Sequence, residues 1–140
     1  MSYANIWIHA VWGTKNRLPL LANSKSIMIQ HIKENAIQKK IFIDCIDGGD
    51  DHLHCLFKLN ANTSLMNVLQ LFKGEASHWA NQTIISNKKF EWADEYYAAS
   101  VSESQRERVR RYNNNQTEHH KKVTFMDEYN AFLALYNSEL

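Results

Sequence analysis

His52 and His54 flank Leu53 in an apolar run, and in an extended strand alternate side chains leave the same face, about 6.6–7 Å apart along the backbone. Two imidazoles so placed could converge on one metal ion. The triplet is equally compatible with two histidines at a strand edge, satisfied by Asp50, Asp51 or water. Further along, Tyr112 and Gln116 are four apart, about 6 Å along a helix axis and on one side of it, with His119 and His120 following on that side. A helix there would present a hydroxyl nucleophile beside a neutral oxygen ligand. The plainer alternative packs the Tyr112 ring with Val109 against the domain and leaves the neighbouring arginines solvated. Tyr96 and Tyr97 are rival hydroxyls, but neither shares a helix face with a ligand, and both suit a strand.

These groups need elements to hold them. The run Ala4 to Thr14 is rich in Ile, Val and Trp and reads as a buried strand; Ser24 to Lys40 spaces Ile27, Ile29, Ile32, Ala36 and Ile37 at mostly helical intervals. Ile41 to Ile46 and Leu53 to Leu59 form an antiparallel pair, with the Gly48-Gly49 step available for the positive φ of a tight hairpin. Leu53, Cys55 and Phe57 then face the helices, opposite to the two histidines. Asn62 to Thr83 carries Leu65, Val68, Leu69, Phe72, Ala76 and Trp79 three and four apart, a second amphipathic helix. Tyr96 to Val101 is a fourth strand. Ser102 with Gln105 reads as a capping box opening a third helix, and Thr124 to Ser138 is a fourth helix with Asp127 three residues after its cap. The order β-α-β-β-α-β predicts an α+β, ferredoxin-like or RRM-like antiparallel sheet, with two helices on one face and C-terminal helices beyond it. The other face must meet solvent, a partner or a ligand.

The third helix is unusual because, apart from Val109 and Tyr112, it has almost nothing apolar to bury. Charge is concentrated there. Residues 1–104 carry ten Lys/Arg and ten Asp/Glu, residues 105–122 carry six and two, and residues 123–140 carry none and three. A local positive stretch in a chain of net charge +1 attracts phosphate without general basicity. Lys15, Arg17, Lys73, Arg106, Arg110 and Arg111 are the candidate backbone contacts, and Lys88, Lys89, Lys121 and Lys122 are additional ones. Trp7, Trp12 and Trp79 lie in apolar periodic segments and suit a core; Trp92, beside Glu91 and near Asp94, is left open between core and base stacking.

Composition sets the outer bounds. At 140 residues, 44% hydrophobic and 22% charged, with one proline and four glycines, disordered, collagen-like and low-complexity classes are excluded, and one domain over 1–140 is expected. The apolar stretches fall short of 18 residues and the start lacks a basic leader, so a cytoplasmic protein without membrane contact is expected. Cys45 and Cys55 sit in apolar runs without CxxC spacing, as buried thiols of a reducing compartment do.

Taken jointly and in order, Asp51-His-Leu-His-Cys-Leu-Phe57, Phe72-Lys-Gly-Glu-Ala-Ser-His-Trp79, Val109-Arg-Arg-Tyr-Asn-Asn-Asn-Gln116 and Glu118-His-His120 resemble the single-tyrosine HUH transposases of small bacterial insertion sequences, REP-associated tyrosine transposases among them. Thr124-Phe-Met-Asp-Glu-Tyr129 resembles the end of the same pattern. Glu95-Tyr-Tyr-Ala-Ala99 departs from it, standing where many relatives carry a Gly-Tyr-Gly-Ala-Phe-like segment. The resemblance implies a ferredoxin-like domain, a homodimer with composite sites in trans, and cleavage and rejoining of single-stranded DNA with hairpin ends through a 5′-phosphotyrosine. It implies Tyr112 as nucleophile and His52, His54 and Gln116 as ligands of Mg²⁺ or Mn²⁺. Three rival readings stand beside it: a domesticated hairpin-DNA nickase or binding protein, a non-catalytic RNA- or single-strand-binding RRM-like module, and a zinc hydrolase using His119 or His120 as third ligand.

Overall fold

The computed structural model describes residues 3–83 and 89–114. Strands β1 (Trp7–Thr14), β2 (Ile43–Gly48), β3 (His52–Lys58) and β4 (Trp92–Val101) form one antiparallel sheet in the order β2-β3-β1-β4. Helix α1 (Lys25–Gln38) joins β1 to β2, and α2 (Leu65–Thr83) precedes β4. A 3₁₀ turn, Glu103–Gln105, then leads into α3 (Arg106–Asn114). The α+β, ferredoxin-like βαββαβ arrangement expected from the sequence is therefore present. The expected helix over 124–138, and residues 115–122 of the expected third helix, lie outside the described residues.

Alternation along the strands divides the sheet into two unlike faces. Ile8, Ala10 and Trp12 of β1 and Leu53, Cys55 and Phe57 of β3 point to one side, where Met28, Ile32 and Ala36 of α1 and Val68, Leu69, Phe72, Ala76 and Ala80 of α2 close over them. Trp12 stacks near Phe72 at 6.1 Å between ring centroids, and Phe57 meets the same ring edge-on at 5.3 Å. Outside this core α1 and α2 are tied by His31, whose ring stacks on Trp79 at 4.1 Å and whose Nε2 lies 2.6 Å from Glu75 Oε2. The periodicity of α1 differs from expectation in one respect: Met28 is the core residue, while Ile27 and Ile37 are exposed. Met28 shares the 3.6-residue phase of Ile32 and Ala36, and Ile27 and Ile37 do not.

Three local expectations are corrected. Strand β4 begins at Trp92 rather than Tyr96, because Trp92 pairs with Thr14 across a register shift, and its indole packs edge-on against Trp12 at 6.2 Å and Phe90 at 4.7 Å. Trp92 is thereby a core residue. The β2–β3 turn uses no positive-φ glycine. Pairing continues to Gly48↔Leu53, so the link is the longer Gly49-Asp50-Asp51, which does not need a two-residue primed turn. Gly48 answers to space instead, since a Cβ there would collide with the His52 carbonyl and lie 2.8 Å from Leu53 Cα. Finally, Ser102 makes no side-chain cap; its carbonyl accepts the Gln105 N–H at 3.0 Å, and its hydroxyl lies 3.1 Å from that of Ser104. Among the described residues no helix is long and apolar enough to cross a membrane.

Candidate active site

The second face collects Trp7, His9, Val11 and Gly13 from β1, His52, His54 and Leu56 from β3, and Cys45 from β2, and α3 lies across it. Pairing sets the geometry: Gly13↔His52 and Val11↔His54 place both histidines beside the middle and end of β1. Their ring centroids are 5.2 Å apart, and both rings are buried. Leu53, Cys55 and Phe57 face the helices as expected.

A helix so poor in apolar residues is held mainly by charge. Asp44 of β2, its side chain only 3% exposed, accepts Arg110 Nε at 2.6 Å and Nη2 at 2.8 Å, and Arg106 Nε approaches its other side at 3.1 Å. The two-point grip from Asp44, through hydrogen bonds first and charge second, raises the Arg110 pKa, so that guanidinium is permanently charged. Val109 is the apolar anchor, packed with Trp7, Cys45, Leu56 and Val101, and Arg106 stacks 4.2 Å above the Trp7 ring. Trp7 Nε1 donates to Glu103 Oε2, and Asn113 Nδ2 reaches Cys45 Sγ at 3.4 Å. Burial pushes the Cys45 thiol up to about 11 and the Cys55 thiol well above its usual range, so both are neutral, as expected of structural thiols.

This docking delivers Tyr112 to the histidines. Its ring meets His54 edge-on at 5.7 Å and His9 at 6.4 Å between centroids. The described parts of the two expected motifs, His52-Leu53-His54 and Tyr112, thus meet within one chain; Gln116, His119 and His120 lie outside the described residues. Both readings of Tyr112 converge in part, since Val109 does pack against the sheet, but Arg106 and Arg110 are ion-paired rather than simply solvated.

The histidines are oriented by neighbours. His52 Nδ1 donates to Asp51 Oδ1 at 2.8 Å, and His54 Nδ1 lies 3.2 Å from His9 Nε2. With each Nδ1 engaged, the buried Nε2 of each ring is the nitrogen that could face an ion, the arrangement in which a carboxylate or second ring orients a ligating histidine. Two imidazole donors fit a divalent ion that accepts nitrogen, Mn²⁺ more readily than Mg²⁺. Among the described residues no three His, Cys, Asp or Glu side chains cluster as a metal site, so His52 and His54 could offer two donors there and no more.

The remaining basic candidates are not gathered on this face: Lys15 and Arg17 lie in the turn after β1, and Lys73 lies on α2, which covers the opposite face. Asn16 and Arg17 both adopt positive φ, 58° and 57°, in the 3₁₀ turn after β1. That turn folds the Arg17 guanidinium back over Gly13, where a Cβ would strike it, beside the cross-strand partner His52. Lys15 pairs with Glu91 at 3.2 Å. Lys73 Nζ donates to the Ala93 and Asp94 carbonyls and lies 5.8 Å from the Tyr96 ring centre; burial lowers its pKa, opposed by Asp94. Arg111 is exposed, and Lys88, Lys121 and Lys122 lie outside the described residues.

His9, Asp44 and Asp51 carry the site's architecture yet two of them escaped the sequence reading, in which only Asp51 figured. The signal for His9 was its phase, a polar residue alternating with Trp7 and Val11 on the strand face opposite Ile8, Ala10 and Trp12. Asp44, an acid inside the strand-like Ile41–Ile46 run, carried no partner until the sheet placed α3 beside it.

Comparisons with known proteins bear on the family and the fold. The family model described as IS200-like transposase matches residues 2–116. No curated protein matches the sequence at a significant level. A candidate transposase of Deinococcus radiodurans R1 superposes with a TM-score of 0.66 at 18% identity, over 82% of this chain and 93% of that one. A REP-associated tyrosine transposase bound to a REP hairpin also superposes with a TM-score of 0.66, at 16% identity, over 88% of this chain and 73% of that one. At these identities the two structures establish the shared fold, and the family match, which spans most of the sequence, establishes membership: the chain belongs to the IS200-like transposases.

Proposed function

We propose that this transposase cleaves and rejoins single-stranded DNA at hairpin-flanked insertion-sequence ends, with Tyr112 as the nucleophile. The observation that carries the reading is the seat of the Tyr112 ring, edge-on to His54 on a buried polar patch, within a chain of this family. The phenolic oxygen attacks phosphorus in line; the bond from phosphorus to the 3′ oxygen breaks, leaving a 5′-phosphotyrosine and a free 3′-OH after proton transfer. One phosphate ester replaces another, so a 3′-OH from a different end can reverse the step and join it. A free phenol of pKa about 10 is only ~0.1% ionised at pH 7, and forming the phenolate costs about 4 kcal/mol unless the site is electropositive.

The chain's own residues address that requirement. Arg17, turned back over Gly13 next to the strand partner His52, is a proposed source of positive charge for the phosphate. Asp44 with Arg106 and Arg110 holds α3 at the height that brings Tyr112 to His54. His52, His54 and Gln116 are the proposed holders of Mn²⁺ or Mg²⁺, which when bound supplies Lewis-acid charge to the phosphate. Lys15, Lys73 and Arg111 are proposed backbone contacts, and Arg106 and Arg110 add positive charge on the α3 side while gripping Asp44. The REP hairpin held by the structural neighbour supports hairpin DNA as the substrate class.

A homodimer of single-domain chains is part of the proposal, and the arrangement of α3 on its own sheet favours Tyr112 and His54 acting within one chain. Mixing Tyr112→Phe chains with His54→Ala chains then restores no cleavage; restored cleavage means that the two chains share sites. The principal test is incubation of the full chain with 5′- or 3′-labelled oligonucleotides from the flanks of its gene, with Mn²⁺, Mg²⁺ or EDTA. Metal-dependent cleavage with label from the 3′ side of the break retained on the protein is expected. Cleavage without an adduct replaces this reading with a hydrolase, and binding without cleavage replaces it with a binding module or domesticated relative.

A further inference from the structure

His9 takes no part in the proposed strand cleavage beyond its contact with His54, although it is fully buried at the centre of the site face and both His54 and Tyr112 touch it. Its Nε2 and the Nδ1 of His54 are 3.2 Å apart, a hydrogen-bond distance between two ring nitrogens. One of them must carry the shared proton. If His9 donates from Nε2, His54 Nδ1 is the acceptor, and a neutral His54 then has its own proton on Nε2, where no ion can be ligated. If His54 donates from Nδ1, its Nε2 keeps a lone pair, and His9, as a neutral ring, holds its proton on Nδ1.

We infer that His9 is a positioning residue that accepts the Nδ1–H of His54, fixing the tautomer and ring angle in which His54 Nε2 can ligate a divalent cation. The counterpart at His52 is the carboxylate of Asp51, at 2.8 Å from Nδ1. The two ligating histidines are therefore oriented by different chemistry, one by a carboxylate of the turn that precedes its strand and one by a neutral ring on the adjacent strand. Strand register maintains this pair: Val11↔His54 and His9↔Leu56 bring the β1 histidine diagonally alongside His54 on one face. Replacement of His9 by an apolar ring of similar size would keep the packing against Tyr112 and remove the acceptor. Replacement by Gln would keep an acceptor close to the Nε2 position.

The inference rests on the proposed metal role of His54, and two measurements separate its failure from failure of that role. In the unsubstituted full chain in EDTA at about pH 8, above the ordinary imidazole pKa of about 6.5, ¹⁵N spectra of the histidine rings locate the shared proton. It is expected on His54 Nδ1; a proton on His9 Nε2, or none shared between the rings, overturns the inference whatever the metal does. Mn²⁺ titration read by loss of the free-ion electron-spin-resonance signal then compares unsubstituted chain, His9→Gln and His9→Phe. His9→Phe is expected to bind about 10–100-fold more weakly, with His9→Gln within about threefold of the unsubstituted chain. Equal affinity in His9→Phe overturns the inference, and absence of Mn²⁺ binding by the unsubstituted chain overturns the metal role while the proton position still decides that of His9. Should His9→Phe fail to fold, the ¹⁵N result and His9→Gln decide.

Discussion

One sheet has two faces built on opposite plans. Towards α1 and α2 it is closed by interlocking rings and aliphatic side chains, with Trp12, Phe57 and Phe72 at the centre. Towards α3 the buried set includes three histidines, an asparagine and a thiol, and the covering helix is fastened by Asp44 gripping two arginines. Hydrophobic burial is non-directional and tolerates small shifts, whereas ion pairs and ring-to-ring hydrogen bonds fix angle as well as position. The first face thus stabilises the molecule, and the second fixes the relative placement of a few polar atoms, which is what the proposed strand cleavage requires of it.

Substitutions separate these two roles. His54→Ala is expected to lower metal-dependent strand cleavage by about 10²–10³-fold while shifting the melting temperature by only a few degrees. Phe72→Ala on the opposite face is expected to cost ~3–5 kcal/mol, a fall of about 10–20 °C in melting temperature, with cleavage per folded molecule unchanged. If the two variants exchange phenotypes, the division of labour between the faces is wrong. Asp44→Asn weakens the grip on α3 without emptying the core. Amide exchange in α3 should rise about tenfold while that of α1 is unaltered, and cleavage should fall in parallel; equal acceleration in both helices would show that the α3 contact is part of the general core.

The last effect concerns alkaline pH. Folding holds the Cys45 thiol neutral up to about 11, against 9.0 ordinarily, and Cys55 higher still, so above pH 9 the unfolded chain loses protons that the folded chain keeps. Stability from this source is complete below pH 9 and declines as pH rises towards 11, by roughly 5–10 °C in melting temperature per pH unit with both thiols contributing. A Cys45→Ala, Cys55→Ala double variant should flatten that decline, and an unchanged slope would assign it to other groups.

The same division explains what could be read before the fold was known. The α1–α2 face announces itself through periodicity, because Val68, Leu69, Phe72 and Ala76, or Leu53, Cys55 and Phe57, repeat with the period of their element. The exception, Ile27 and Ile37 in place of Met28, arises because several phases of α1 carry aliphatic residues and only packing selects one. Trp92 was ambiguous because Asp94 and Glu95 follow it in an edge strand, where outward positions tolerate charge. On the other face, the histidine pair and Tyr112 were legible only as motifs. His9 and Asp44 were not legible as partners, since their contacts, 45 and 66 residues apart in sequence, exist only once strand register and the docking of α3 are set.

Whether the α3 face presents Tyr112 as the attacking group is decided by mass spectrometry of the protein after reaction with a flank-derived single strand and Mn²⁺. One peptide, the one containing Tyr112, is expected to carry the 5′-phosphate end of the cleaved strand, with no adduct from Tyr112→Phe although hairpin binding persists. An adduct on Tyr96, Tyr97 or any other residue, or undiminished adduct formation by Tyr112→Phe, contradicts that role of Tyr112.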